Sequence, residues 1–81
     1  MEQITELRYL WGGKKIHAEW FYDEEDDVIY RSNDGGDMEK FFGGLDLYNI
    51  LSEKVEKKEY YSMQAHMRDF YDYLKNRYDN G

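Results

Sequence analysis

Apolar residues recur at steps of three and four in the last third of the chain. Such spacing places them along one face of an α-helix. Residues 57–78 contain neither Gly nor Pro, and Asn80-Gly81 supplies a stop signal. The pattern predicts a long amphipathic helix over residues 57–78, whose apolar stripe consists of Tyr60, Met63, Met67, Phe70, Tyr71, Leu74 and Tyr78.

Near the N-terminus the pattern changes to strict alternation, which is typical of β-strands. Residues 3–11 and residues 15–22 both alternate, and Gly12-Gly13 lies between them. A Gly pair suits the positive φ angles of a two-residue hairpin turn. The sequence therefore predicts a β-hairpin with one face formed by Thr5, Leu7, Tyr9 and Trp11 of the first strand and Ile16, Ala18, Trp20 and Tyr22 of the second.

A third strand is predicted at residues 28–32. It is separated from the second by five consecutive acidic residues, 23–27. Acidic residues are depleted from strands and repel one another, so we expect them at a solvated hairpin tip. Asn33-Asp34-Gly35-Gly36 then predicts a second turn.

Residues 37–45 are compatible with two structures, a helical turn with Asp37 as N-cap or a fourth strand that extends the meander. Their apolar residues, Met38, Phe41 and Phe42, lie at steps of three and four, which favours the irregular or helical alternative. Asp46 is expected to be the N-cap of a short helix. The apolar face of that helix consists of Leu47, Ile50, Leu51 and Val55.

The apolar stripes of the two predicted helices point in nearly opposite directions if the helices are joined without a break. A single core cannot bury both sides, so we expect the chain to turn within the polar link 53–59. A continuous helix whose two faces meet different partners, as in a dimer, is the alternative.

These elements predict one α+β domain over residues 1–81, built from an antiparallel three- to four-stranded β-meander followed by two helices packed on one face (β-β-β-α-α). Residues 1–33 form the strands, residues 37–55 a loop and a short helix, and residues 57–78 the long helix. The face that carries Trp11 and Trp20 is expected to meet the apolar stripe of the long helix.

Charge is distributed unevenly along the chain. The net charge is −7; residues 1–46 carry twelve acidic and five basic residues, whereas residues 47–81 carry six of each. Nucleic-acid binding relies on basic surfaces, so direct contact with DNA or RNA phosphates is disfavoured. A protein with a basic surface, such as a nucleic-acid-binding enzyme, is the expected partner.

Composition limits the class of protein. The chain has no Cys, no apolar run of membrane-spanning length and no signal-peptide pattern, so we expect a soluble, cytoplasmic protein without a membrane partner. Fifteen of the 81 residues are aromatic, nine of them Tyr. This excess fits either a binding interface or a small core with hydrated hydroxyls.

No pattern in the chain predicts an enzyme, a cofactor or a metal site. The acidic run 23–27 lacks the Gly at the sixth and the Glu at the twelfth position that an EF-hand loop requires. His17 and His66 have no further ligands at a recognisable spacing. A catalytic or metal-dependent module around either His is the least favoured hypothesis.

Two groups of residues are candidates for binding a partner. One is acidic and would form a carboxylate array on one side of the sheet. The other is a column of Tyr, Arg and His beside the stripe of the long helix, because Tyr and Arg dominate binding hot spots. Its alternative role is to border the core with polar tips in water. The candidates are Glu19, Asp23, Glu24, Glu25, Asp26, Asp27, Asp34, Asp37, His66, Tyr73 and Arg77.

These observations favour a small, acidic, non-enzymatic inhibitor that blocks a basic surface of a nucleic-acid-handling protein. Carboxylates on a rigid scaffold can imitate phosphates, as in a DNA mimic. In general type, though in no residue motif, the chain resembles phage and mobile-element inhibitors, including anti-CRISPR proteins. The alternative is a homodimeric structural or regulatory interaction protein, with the long helix or a Tyr patch as its self-interface.

Overall fold

Four antiparallel strands and two α-helices follow one another along the chain. The computed structural model describes residues 1–80. The strands form one sheet in the order β1-β2-β3-β4, so every strand pairs with its sequence neighbour. The predicted α+β architecture is therefore confirmed, with four strands. The elements are β1 (Glu2–Trp11), β2 (Lys14–Asp23), β3 (Val28–Asn33), β4 (Met38–Gly43), α1 (Gly44–Glu56) and α2 (Ala65–Asn80).

The hairpin between β1 and β2 forms where the alternation predicted it. Gly12 and Gly13 have φ angles of 57° and 80°, as a primed two-residue turn requires. Trp11 pairs with Lys14 across this turn. Nearer the N-terminus, an irregularity between Gln3 and Thr5 shifts the register of β1 against β2 by one residue.

The prediction that favoured a helical or irregular structure for residues 37–45 is wrong, because Met38–Gly43 forms strand β4. A bulge between Ile29 and Tyr30 shifts the pairing, so that Phe42 lies opposite Ile29 and Lys40 opposite Tyr30. A bulge interrupts the two-residue period of a strand. The apolar residues of β4 therefore fall at steps that resemble those of a helix.

Helix α1 begins two residues before the predicted N-cap. Gly43 occupies the N-cap position without a side-chain hydrogen bond, and Asp46 lies in the first turn. The side chain that accepts a hydrogen bond from this helix terminus is Asp27, whose Oδ2 lies 3.0 Å from the amide nitrogen of Leu45. The cap comes from a distant turn, which local sequence signals do not reveal.

The chain turns between the helices, as the opposed stripes predicted, but the long helix is shorter than expected. Lys58, two residues after the end of α1, adopts a left-handed φ of 62°. Its amide donates to the carbonyl of Val55 at 2.9 Å. A 3-10 turn at Tyr60–Ser62 follows, and α2 starts only at Ala65 instead of residue 57. Helix α2 extends to Asn80; the other half of the predicted stop, Gly81, lies outside the described residues.

The core lies between one face of the sheet and the two helices. Trp20 is 2% exposed, and its ring meets that of Phe70 edge to face at 5.3 Å. The predicted face thus meets the helix stripe at Trp20, whereas Trp11 on the same face is 72% exposed and lies outside the core. Within residues 1–80, neither helix combines the length and apolar character needed to cross a membrane. The buried apolar residues are Ala18, Trp20, Tyr22, Ile29, Leu47, Leu51, Phe70, Tyr71 and Leu74.

Candidate functional site

The predicted carboxylate array is divided between two ends of the sheet. The acidic turn follows Asp23, which pairs with Val28, whereas Asp34 and Asp37 follow Asn33, which pairs with Ala18. The five-residue offset corresponds to about 17 Å of extended strand. The two groups of carboxylates are therefore too far apart to form one continuous array.

Asp34 and Glu19 make contacts within the molecule. The carboxylate of Asp34 accepts a hydrogen bond from the His17 amide at 3.0 Å, and the Asp34 amide donates to the His17 carbonyl at 2.7 Å. Glu19 is half-buried on the face of the sheet without helices, opposite Glu6. Asp34 thus closes the turn after β3, and Glu19 belongs to a separate cluster with Glu6 and His17.

At the other end of the sheet, an open cleft of about 430 Å³ gathers acidic and aromatic side chains. Strand β1 contributes Glu2, because Glu2 pairs with Tyr22 beside the acidic turn. Helix α2 contributes Tyr73, whose ring meets Tyr22 edge to face at 5.6 Å. We call this feature the acidic cleft; its lining consists of Met1, Glu2, Tyr22, Asp23, Glu24, Glu25 and Tyr73.

Three residues of the cleft, Met1, Glu2 and Tyr22, were not among the predicted site residues, and Glu2 is the acidic one. The signal was present in the hairpin: counting back from the Trp11–Lys14 pair without a bulge places Glu2 opposite Asp23. The irregularity between Gln3 and Thr5 moves that pairing to Tyr22. Both registers bring Glu2 to the acidic turn.

The side chains of the acidic cleft carry an excess of negative charge. Four carboxylates line it (Glu2, Asp23, Glu24 and Glu25). The guanidinium of Arg77 forms an ion pair with Glu24 and lies 5.5 Å from the centre of the Tyr22 ring. Among the described side chains, Arg77 is thus paired with one of the four carboxylates, and the excess negative charge of the other three suits a further cationic group.

Tyr73 presents a protonated hydroxyl to the cleft. Burial raises its pKa, and the neighbouring Glu2 carboxylate raises it further. A hydroxyl held in this form donates to a carboxylate and offers its ring face to a cation. Tyr73 thereby combines the two properties expected of a hot-spot residue.

Asp27 differs from its acidic neighbours because it is half-buried and engaged on both oxygens. Its Oδ1 accepts hydrogen bonds from the hydroxyls of Tyr22 at 2.5 Å and Tyr78 at 2.6 Å, and its Oδ2 accepts one from the Leu45 amide. Burial acts to raise its pKa, but these hydrogen bonds outweigh burial and lower it from its usual value. Asp27 joins the turn to both helices, whereas Glu24, Glu25 and Asp26 are exposed.

The predicted Tyr, Arg and His column is divided as well. Tyr73 and Arg77 lie at the acidic cleft, but His66 lies eleven residues before Arg77, about 16 Å away along the helix. The His66 ring stacks on Trp20 with centres 5.2 Å apart and planes 10° apart. Burial and the nearby Arg31 lower the pKa of His66. His66 therefore borders the core as a neutral imidazole near neutral pH.

Glu6, His17 and Glu19 form a cluster on the face without helices. Among residues 1–80, they are the one group in which three potential metal ligands approach within 4.8 Å of one another. His17 Nε2 lies 2.6 Å from Glu6, and Nδ1 lies 4.0 Å from Glu19. The hydrogen bond from His17 is the first cause that lowers the pKa of Glu6. The two carboxylates account for the orientation of the imidazole without an ion.

Comparison with protein-family models, curated proteins and solved structures finds no match for the chain. The chemistry of its own surface is therefore what indicates its function. Of the features described, the acidic cleft combines uncompensated charge, a concave shape and aromatic walls.

Proposed function

We propose that this protein is a small, non-enzymatic inhibitor that binds a basic surface of a nucleic-acid-handling protein through the acidic cleft. One observation carries the proposal: four carboxylates surround a tyrosine-lined cleft and are opposed by a single guanidinium. Asp23, Glu24 and Glu25 supply most of that charge. Glu2 and Tyr73 complete the site from other elements.

The physical basis is electrostatic complementarity between this protein and its partner, both at long range before contact and at short range within the cleft. A net charge of −7 steers the molecule towards a cationic surface before contact. After contact, a Lys or Arg side chain entering the cleft gains charge-assisted hydrogen bonds from the carboxylates and a favourable position against Tyr73.

The class of partner follows from the same charge. Proteins that bind DNA or RNA carry basic grooves that neutralise phosphates, and a carboxylate-bearing scaffold competes for such a groove. Occupation of that groove excludes the nucleic acid, so binding by itself inhibits. A DNA-mimic inhibitor of the phage or mobile-element type, such as an anti-CRISPR protein, would act in this way.

The test compares two triple variants that lose the same charge. D23N/E24Q/E25Q neutralises the acidic cleft, whereas D37N/E39Q/E56Q neutralises three exposed acids outside it. Each changes the net charge from −7 to −4. Tagged wild-type and variant proteins are used to capture partners from nuclease-treated host lysate. Displacement of a labelled oligonucleotide from the captured protein is then measured by fluorescence anisotropy.

We expect the wild type and D37N/E39Q/E56Q to capture one nucleic-acid-binding protein and to displace the oligonucleotide. D23N/E24Q/E25Q should do neither, and about 1 M salt should release the partner because it shortens the Debye length to about 3 Å. Capture that resists salt and survives loss of the cleft carboxylates would refute the proposal. So would a partner that retains its oligonucleotide.

A further inference from the structure

Strand β1 has an unpaired outer edge along its full length of ten residues. Natural proteins protect long edges with Pro, bulges, charges or covering segments, because an open edge is a template for further pairing. Strand β1 has no Pro, and its register irregularity lies near its beginning. Its central charged residues, Glu6 and Arg8, have opposite signs and can therefore pair between two copies instead of repelling them. We propose that the outer edge of β1 pairs antiparallel with β1 of a second copy of this chain, centred on Leu7, and so joins two four-stranded sheets.

The backbone of β1 is arranged for this register. In a two-residue turn, the flanking residues, here Trp11 and Lys14, are linked by hydrogen bonds. Hydrogen-bonding direction alternates along an antiparallel strand, so Leu10, Arg8 and Glu6 direct their amide and carbonyl groups away from β2. With Leu7 opposite Leu7 of the second copy, Glu6 and Arg8 face each other and exchange these free hydrogen bonds.

Charge selects this register over its neighbours. Within one chain Glu6 already contacts Arg8 at 3.4 Å and His17 at 2.6 Å. Centring on Leu7 places each Glu6 also opposite Arg8 of the partner subunit, so that the four side chains alternate in sign around the two-fold axis. Centring on Glu6 or on Arg8 places like charges opposite each other. The edge is therefore self-complementary in one arrangement, which is what identifies a second copy as the occupant.

The apolar side chains agree with that arrangement. A shallow, mainly apolar cleft of about 400 Å³ lies between β1 and the start of α2, lined by Leu7, Tyr9, Gln64, Ala65 and His66. Leu7 of the partner subunit would lie at the mouth of this cleft and extend the core across the edge.

The other edge of the sheet shows the contrast. Strand β4 has six residues, is interrupted by a bulge and ends at helix α1. The self-interface expected from the sequence was the long helix or a Tyr patch; α2 buries Phe70, Tyr71 and Leu74 in the core, whereas Tyr61 is 90% exposed. Strand β1 is the longer open edge of the sheet, and its pairing with a second copy is an inference independent of the proposed function.

Charge-reversal variants test both the dimer and its register by sedimentation equilibrium. The wild type should approach twice the chain mass of 9.9 kDa as its concentration rises. Both E6R and R8E should weaken dimerisation roughly tenfold, because each places like charges in both pairs. Mixing E6R with R8E, or combining them as E6R/R8E, should restore the dimer, because each arrangement restores two opposite pairs.

Circular dichroism and thermal unfolding establish that the single variants keep the wild-type fold. A monomer at all concentrations, or a dimer that neither E6R nor R8E weakens, would overturn the proposal. Loss of the dimer in D23N/E24Q/E25Q would also overturn it, because the contact would then join the acidic cleft of one copy to a basic region of another. A failed search for a nucleic-acid-handling partner leaves all these outcomes unchanged.

Discussion

The hydroxyl of Tyr78 donates a hydrogen bond to Oδ1 of Asp27 at 2.6 Å, across 51 residues of sequence. This contact ties the end of α2 to the turn between β2 and β3. The same carboxylate accepts the Leu45 amide at the start of α1, and the Asp27 carbonyl accepts the amide of Gly44 at 2.8 Å. One half-buried acid thus joins the sheet to both helices directly beside the acidic cleft.

Replacing Asp27 should destabilise the fold. In D27N, the amide group that replaces Oδ2 cannot accept the Leu45 N–H, so we expect a loss of about 1–2 kcal/mol of unfolding free energy. Urea denaturation at pH 7 measures the change. D26N, at the exposed neighbouring position, is the matched control and should stay within about 0.5 kcal/mol of wild type. An equal effect of the two variants would contradict the structural role of Asp27.

The contribution of Asp27 should depend on pH. The pKa of Asp27 in the folded state lies below its ordinary value of 3.8, so its contribution is complete above that value. As pH falls through the folded-state pKa, the carboxylate is protonated and the contribution is lost. The stability difference between wild type and D27N should therefore narrow below about pH 4. A constant difference down to pH 2 would exclude this linkage.

Gly44 should not tolerate a side chain, although Ala favours helices by about 1 kcal/mol over Gly. A Cβ at this buried position would collide with Oδ1 of Asp27 and lie 2.9 Å from the hydroxyl oxygen of Tyr78. We expect G44A to cost about 1–3 kcal/mol of unfolding free energy. N49A, on the exposed side of the same helix, is the control and should be neutral or slightly stabilising. A stabilised G44A protein would show that the contact relaxes freely.

His66 should make the fold less stable in mild acid. Burial, together with the charge of Arg31, lowers the pKa of His66 below 6.5, so the unfolded chain binds a proton at this residue more readily than the folded protein. Stability from this group is present above pH 6.5 and is lost as pH falls through the folded-state pKa. H66F keeps an aromatic ring against Trp20 but cannot titrate. Unfolding at pH 7.5 and pH 5.0 should therefore show a smaller change for H66F than for wild type.

The two tryptophans should report opposite environments. Trp20 is 2% exposed and Trp11 is 72% exposed, so W11F should retain blue-shifted emission that acrylamide quenches poorly. W20F should retain red-shifted, readily quenched emission. Both measurements use low protein concentration, and W11F should stay within about 0.5 kcal/mol of wild type. Equal quenching of the two variants would contradict the exposed position of Trp11 and the buried position of Trp20.

Local patterns contained enough information for most of the elements but only part of the site. The acidic turn was predictable because Asp23–Asp27 has no other place in a hairpin, and Glu2 follows from the register of β1 against β2. Tyr73 and Arg77 were among the predicted candidates, but their position beside the acidic turn was not predictable, because it depends on how α2 crosses the sheet. Nor was the separation of Asp34 and Asp37 from the other acids recognised, although it follows from the direction of β3.

The sequence alone determined the hairpin at Gly12-Gly13, the break between the helices and the amphipathic character of α2, because each depends on the conformational preferences or spacing of neighbouring residues. Tertiary structure decided the rest. Residues 38–43 form a strand with a bulge although their apolar residues are spaced as in a helix. At the start of α1, the side chain that accepts a backbone hydrogen bond is that of Asp27 and not the predicted Asp46. Those outcomes depend on contacts between residues far apart in the chain, whose energies no local pattern encodes.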